Sequence, residues 1–271
     1  MTDPAGLRVL LAPNPSPMTL DGTRTYLVGR ARPVVIDPGP ALDEHLGAIL
    51  EALGGVRPEA ILLTHSHADH SGAAPALAKR SGAPVLMARG ALRPRIPSAA
   101  VDRWIDEGDQ VETDAGTLQA IATPGHAPEH LSFFWGQGRA LFVGDHLMGE
   151  GDTTLVAPPE GDLAMYLESL ERVRRVDAGV LYPAHGPPIR DPEAAVERYL
   201  EHRLARIDQV RGTLREGGAA TPAALVRRVY GPGLHPGLAS AAEGSLRAIL
   251  AYLERRGEVR RKLLGRYAID G

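Results

Sequence analysis

Four side chains of the kinds that bind metal ions fall within six positions of this 271-residue chain, in Thr64-His65-Ser66-His67-Ala68-Asp69-His70. The run leaves an apolar segment that ends at Leu63 and enters one of helical composition. Two imidazoles two residues apart in extended backbone point to the same side and can grip one ion. Asp69 and His70, at the start of the helix, can reach a second ion beside it. With the chain's own His and Asp frequencies, a His-x-His-x-Asp-His match arises by chance in roughly one such chain in a thousand.

Further ligand types follow other apolar runs, each next to a glycine: His126 in Thr123-Pro124-Gly125-His126, Asp145 in Val143-Gly144-Asp145, and His185 in Ala184-His185-Gly186. Five imidazoles and two carboxylates suit two borderline divalent ions at about 2.0–2.2 Å per ligand, with Asp145 able to bridge them. Zn²⁺ is the expected metal, and Fe or Mn fits the same donors. The chain has no cysteine, which excludes disulfides, thiol nucleophiles, Fe–S clusters and thiolate metal sites together. Taken singly, His45, His146, His202 and His235 read as hydrogen-bonded structural residues, with His130, four residues past His126, intermediate. Asp37, in Ile36-Asp37-Pro38-Gly39, is good turn chemistry in its own right. Tyr199, His202, Arg203 and Arg206 share one helical side by their spacing. That face is either solvated or, through His202, Arg203 and Arg206, a contact for an anionic substrate group.

These residues need strand ends to hold them, and short β-branched runs alternate with helix-period segments as far as about residue 190. Strands are expected at Val9–Leu11, Tyr26–Val28, Val34–Ile36, Ile61–Leu63, Val85–Met87, Leu118–Ile121, Leu131–Trp135, Leu141–Val143 and Val180–Tyr182. Helices are expected at about Leu42–Leu53, Asp69–Arg80 and Leu163–Val176, the first two stopped by Gly54-Gly55 and Gly82. A long helix, about Pro192–Arg215, places Val196, Leu200, Leu204 and Ile207 on one stripe. Two more helices, from Thr221-Pro222 and over about Ser240–Arg255, and a hairpin turning at Gly265 complete the order of a winged helix. The expected division is 1–190 and 191–271.

The formal charge of −3 is a sum of unlike parts: residues 1–190 carry 16 basic and 23 acidic side chains, residues 191–271 carry 14 and 10. Arg255, Arg256, Arg260, Arg261, Lys262 and Arg266 crowd the expected hairpin. No run approaches the roughly 20 apolar residues of a membrane span, and the N-terminal residues do not read as a secretory leader, so the expectation is a cytoplasmic protein with no membrane partner.

Over about residues 8–190 these motifs resemble the metallo-β-lactamase superfamily. The resemblance implies an α/β fold, an αββα sandwich with the metals at one edge. It assigns His65, His67 and His126 to the first metal, Asp69, His70 and His185 to the second, and Asp145 to both; Asp37 would lie beneath them and orient a ligand imidazole. The bridging Asp and the lack of a cysteine ligand resemble the glyoxalase II and nuclease-like branches more than the true β-lactamases. Tyr199-Leu-Glu-His-Arg203 and the helical tail are similar to the β-lactamase-like protein 2 group with its winged helix, although that group usually has Asn where this chain has Arg24. What this implies is a dinuclear metal-dependent hydrolase whose nucleophile is a metal-bridging hydroxide, with Asp69 orienting it or receiving its proton. The substrate would be a small-molecule thioester or ester, as for a hydroxyacylglutathione hydrolase, or alternatively single-stranded RNA cut by an endoribonuclease. A metal-containing DNA-binding regulator is the third reading, and a homodimer is a further partner expectation.

Overall fold

The computed structural model describes residues 4–270. Its first sheet holds β1 (Leu7–Leu11), β2 (Arg24–Val28), β3 (Val34–Ile36), β4 (Ala60–Leu62), β5 (Val85–Met87) and β6 (Arg103–Trp104) side by side, antiparallel as far as β3 and parallel beyond it. The second holds β7 (Gln110–Thr113), β8 (Gly116–Ala122), β9 (Leu131–Trp135), β10 (Ala140–Gly144) and β11 (Val180–Pro183), of which only the last two pair in parallel. Interspersed are α1 (Asp43–Leu53), α2 (Ala68–Ser71), α3 (Ala74–Ser81) and α4 (Leu163–Arg174). The chain closes with α5 (Pro192–Gly217), α6 (Pro222–Tyr230), α7 (Ala239–Arg255) and a small hairpin of β12 (Val259–Arg261) and β13 (Tyr267–Ile269).

Alternation of side chains across each strand builds the layers. Leu27, Val35, Ile61 and Val85 turn to Leu46, Ile49 and Leu53 of α1 and Leu77 of α3. Their neighbours Val28, Ile36, Leu62 and Leu86 turn the other way, onto Leu118, Phe133, Trp135 and Phe142 of the second sheet. On the outer face of that sheet, Leu141, Val143 and Leu181 pack with Leu163, Tyr166 and Leu170 of α4 and Val196, Tyr199 and Ile207 of α5. The result is an αββα sandwich. Its outer cluster runs on without a break into Leu225, Leu246, Ile249, Leu250, Leu253 and Val259, so the C-terminal helices and hairpin, a winged helix in order and pairing, pack onto the same core.

Polar caps start three of the helices. Asp162 accepts from the amides of Ala164 and Met165, Asp191 from Ala194, and Thr221 Oγ1 from Ala224, each supplying an acceptor for an amide without an intrahelical partner. Gly54 and Gly82, with φ of 60° and 73°, end α1 and α3 in left-handed caps.

Three expectations are corrected. The helix expected at Asp69–Arg80 is two helices, because Pro75 near the start of α3 has no amide to donate to an earlier turn. The strands β6 and β7 were not expected; they are short and mostly polar. On α5 the buried line is Val196, Tyr199, Arg203, Ile207, Val210 and Leu214, while Leu204 is 52% exposed and Leu200 half-buried. The stripe of aliphatic residues missed that Arg203 lies over the Tyr166 ring, 4.8 Å from its centroid, and so buries its stem. Among the described residues no helix is long and apolar enough to cross a membrane.

Candidate metal centre

Five loops meet at one edge of the sandwich, and each delivers ligand-type side chains from the end of a strand. The loop after β4 carries His65 and His67, and α2 begins at once, bringing Asp69 and His70. The loop between β8 and β9 carries His126, Asp145 follows β10, His185 follows β11, and Asp37 follows β3. Gly144 turns with φ of +49°, where a Cβ would sit 2.7 Å from both His130 Nε2 and Thr64 Oγ1. Only glycine allows Asp145 to lie this close over the other loops.

The structure brings all seven residues together. His65, His67, His126 and Asp145 form one group and Asp69, His70 and His185 another; within each group the donor atoms lie within 4.8 Å of one another. Asp145 joins the two groups. Its Oδ1 is 3.2 Å from His70 Nε2 and 3.1 Å from His185 Nε2, while its Oδ2 is 3.5 Å from His126 Nε2. Asp69 Oδ2 lies 3.3 Å from His185 Nε2 and 3.6 Å from His70 Nε2.

The surroundings fix which nitrogen of each ring faces inward. His70 Nδ1–H donates to Asp37 Oδ2 at 2.8 Å, His126 Nδ1–H to the Leu155 carbonyl at 2.7 Å, and His185 Nδ1–H to the Gly22 carbonyl at 3.0 Å. Thr64 Oγ1 donates to Asp37 Oδ2 at 2.7 Å, which leaves a lone pair for His65 Nδ1–H at 3.1 Å. His67 lies with Nε2 3.4 Å from Glu160 and Nδ1 3.1 Å from His126 Nε2. Four rings therefore present a bare Nε2, and His67 its Nδ1, to a space shared with two carboxylates. His65 Nε2, His70 Nε2 and Asp145 Oδ1 are buried there without a hydrogen-bond partner.

Acceptors packed against acceptors need a cation between them. The spacings of 3.1–3.6 Å are close to the edge of a tetrahedron with about 2.0–2.1 Å from centre to corner, which is about 3.3 Å. The donor set thus fits divalent metal ions. The ionisation of the ion-free cluster expresses the same demand. Burial pulls the His185 imidazole down, but Asp145 and Asp69 outweigh it and raise it to about 9. His70 is likewise raised, against burial, by Asp145, Asp69 and Asp37. Burial would raise Asp145, yet His185 and His70 hold it well below the usual carboxylate range, and Asp69 is held down in the same way. Without metal, protons on two imidazoles satisfy charge that an ion would otherwise satisfy.

Some supporting residues, Glu129 above all, escaped sequence reasoning, and others were read there without their roles. Buried Glu129 accepts from both the amide and hydroxyl of Ser66, at 3.0 and 2.7 Å, and so fixes the loop between His65 and His67. His130 donates through Nδ1 to Thr123 Oγ1 and accepts the Asp145 amide at Nε2, an outer contact that holds the residue joining the two groups. The loop from 146 to 162 supplies Leu155 and Glu160 to the imidazoles and is itself held from α5 and α7. Tyr199 accepts the Met148 amide, Arg203 donates to the Thr154 carbonyl, and Arg255 pairs with both oxygens of Asp162. Only scattered glycines and Pro158-Pro159 mark this loop in the sequence.

Beside the cluster opens a cavity of about 410 Å³, within the size range of small-molecule sites. His67, Asp69, His126 and Asp145 line one part; His202, Arg203 and Arg206 line another, so the three cationic or ionisable residues of α5 do face the site. The rest is mainly apolar and includes Met18, Met148 and Leu155, Tyr230 at the end of α6, the segment that follows it, and one side of α7. Arg24 stands aside, paired with Asp21 at 2.6 Å, while its amide donates to the Ala184 carbonyl next to His185. In the C-terminal hairpin region, Arg255, Arg256 and Arg260 pair with Asp162, Glu258 and Asp270, so part of the local positive charge is neutralised.

Comparison with known proteins accords with this geometry. The family model of the metallo-beta-lactamase superfamily matches residues 18–185, and that of the beta-lactamase associated winged helix domain matches 221–265. A beta-lactamase-like protein 2 homolog of Caenorhabditis elegans is 34% identical over 231 residues, covering 82% of this chain and 75% of the relative. An atrochrysone carboxyl ACP thioesterase of Aspergillus chevalieri is 33% identical over 240 residues, covering 82% and 72%. Among solved structures, a beta-lactamase domain protein from Burkholderia ambifaria superposes with a TM-score of 0.83 at 24% identity, covering all of this chain and 93% of that one.

Proposed function

The chain belongs to the metallo-beta-lactamase superfamily, and from that premise we propose that it hydrolyses small-molecule thioesters using two divalent ions, Zn²⁺ foremost, with Fe or Mn as alternatives. His65, His67 and His126 would hold the first ion, Asp69, His70 and His185 the second, and Asp145 both. Residues 1–190 are assigned to catalysis and 191–271 to a domain that completes the substrate cavity.

Ions bound there supply a lowered water pKa and a positive charge for the oxygen that becomes anionic in the transition state. The remaining steps belong to the chain's own side chains. Asp69, its carboxyl held below the usual range by His70 and His185 against burial, lines the cavity and would orient the attacking water and take its proton. The new bond joins water oxygen to the carbonyl carbon and the carbon–sulfur bond breaks; the proton taken by Asp69 would pass to the departing thiolate, the acid product would lose its proton to solvent, and carboxylate and thiol leave. Asp37, Glu129 and His130 keep the imidazoles and Asp145 in register. His202 and Arg206 line the cavity and would meet an anionic group of the substrate; Arg203, committed to Thr154 and Tyr166, chiefly positions the loop.

The observation that carries this reading is the largely apolar cavity next to the cluster. A polyanionic strand would need phosphate partners along a groove, and the cavity offers two arginines and His202. The name of the Aspergillus relative points the same way. The test is elemental analysis of protein purified without added metal, followed by assays of acyl thioesters and labelled single-stranded RNA. Two equivalents of metal and thioester turnover are expected, with both lost in His67→Ala and Asp145→Ala. Salt-sensitive RNA cleavage with no thioester turnover would overturn the reading.

A further inference from the structure

The part of the cavity wall that comes from the C-terminal helices has a distinct chemistry. Leu234, Leu238, Ala242, Ser245 and Ile249 line it together with the ring of Tyr230, and among the described lining residues between 230 and 249 there is no carboxylate or lysine. Ala242, Ser245 and Ile249 are three and four residues apart and form one stripe on α7, two small side chains beside a branched one. Another part of the wall is the 146–162 loop, with Met148 and Leu155.

The separation of these two parts is set by backbone. Gly244 of α7 packs so closely on the loop that a Cβ there would lie 2.7 Å from Ala157 Cβ. With α7 held at contact distance, bulk added at Ala242 has to enter the cavity, since the helix already rests on the loop.

Resting on the thioester reading above, we propose that the substrate's acyl group is apolar and lodges against α7 and the segment leading into it from Tyr230, with Ala242 and Ser245 setting the length admitted. Thiol carriers rich in amides and charge would leave polar groups unpaired against this wall, whereas an alkyl or aryl acyl group loses nothing there and gains from burial. Each methylene accommodated raises kcat/KM about fourfold, the equivalent of about 0.8 kcal/mol.

The experiment uses the metal-loaded full chain and S-acyl-N-acetylcysteamine thioesters from acetyl to decanoyl. The wild type is expected to show a rise in kcat/KM with acyl length and then a plateau. The readout for the variants is the octanoyl-to-acetyl ratio, which a general loss of activity does not change. Ala242→Leu and Ser245→Leu lower that ratio tenfold or more, and Ile249→Ala moves the plateau to longer chains. A flat wild-type profile, or ratios unchanged in all three variants, overturns the proposal and leaves the thioester reading standing. Calorimetric binding of butyrate and octanoate gives a second readout that needs no turnover. Octanoate bound more tightly than butyrate, with the difference abolished by Ala242→Leu, supports the apolar subsite even if no thioester is hydrolysed, in which case it is the thioester reading that fails. No preference for octanoate overturns the subsite.

Discussion

Asp37→Asn changes one atom and tests how the centre is held. The carboxylate accepts the Thr64 amide on Oδ1 at 2.8 Å, and Thr64 Oγ1 and His70 Nδ1–H on Oδ2 at 2.7 and 2.8 Å. An asparagine cannot satisfy all three donors. If its oxygen stays with the Thr64 amide, its NH₂ faces His70, and the imidazole must move its proton to Nε2, the nitrogen 3.2 Å from Asp145 Oδ1. That proton occupies the lone pair needed by the second ion. If the amide is reversed, the NH₂ faces the buried Thr64 N–H instead, and an unpaired buried donor costs about 1–3 kcal/mol. Loss of such an outer partner weakens metal binding roughly 10–100-fold, or about 1.4–2.7 kcal/mol. The backbone is a fair control, because residue 37 has φ of 48° and Asn tolerates this region as well as Asp. Chelator competition and elemental analysis should show one tightly held ion instead of two, with the near-ultraviolet circular dichroism of the fold retained. Two ions held with wild-type affinity would refute the reasoning that Asp37 sets the His70 tautomer.

Three other outcomes follow from the same geometry. In metal-free protein, His185 is raised from 6.5 to about 9, Asp145 and Asp69 overcoming the effect of burial, so its contribution to stability is present below about 6.5 and lost as pH climbs through 9. Calorimetry at both ends of this window should show a fall in Tm after chelation that metal-loaded protein lacks; equal behaviour of the two forms would contradict it. Gly125→Ala places a Cβ 2.4 Å from Tyr166 Cα at a φ of +134°, and should destabilise by about 3 kcal/mol or more while displacing His126, read by denaturant unfolding and metal content. Arg203→Ala frees the Thr154 carbonyl and uncovers the Tyr166 ring, loosening the segment whose Leu155 carbonyl orients His126; first-ion affinity should drop about tenfold, and unchanged affinity would show that the loop holds itself.

The cluster was legible in the sequence because its chemistry is local. His65, His67, Asp69 and His70 are close in the chain, and His126, Asp145 and His185 are each announced by an apolar run and an adjacent glycine. The nine apolar strands were legible for the same reason. What was hidden depends on distant partners. Glu129 is a lone acid in sequence and becomes a support only when β9's approach brings it under Ser66. Arg203 looks like one charge on a polar helix face, and its burial requires the Tyr166 ring, 37 positions earlier, to lie beneath it. The strands β6 and β7 have no apolar alternation to reveal them; they exist because each has a neighbouring strand to pair with. The break between α2 and α3 was marked by Pro75, but apolar periodicity ran straight through it.

The outer cluster that joins Leu141, Val143 and Leu181 to Leu246, Ile249 and Leu253 gives the chain a single heritable constraint where sequence matching sees two segments. A change on α7 is felt at once by the core of the sandwich, by the loop that steadies two imidazoles, and by the wall of the cavity. The winged helix here cannot drift as a passenger. Change on α7 can reshape the cavity without altering one residue of the His and Asp cluster, and selection on stability will constrain the same helix.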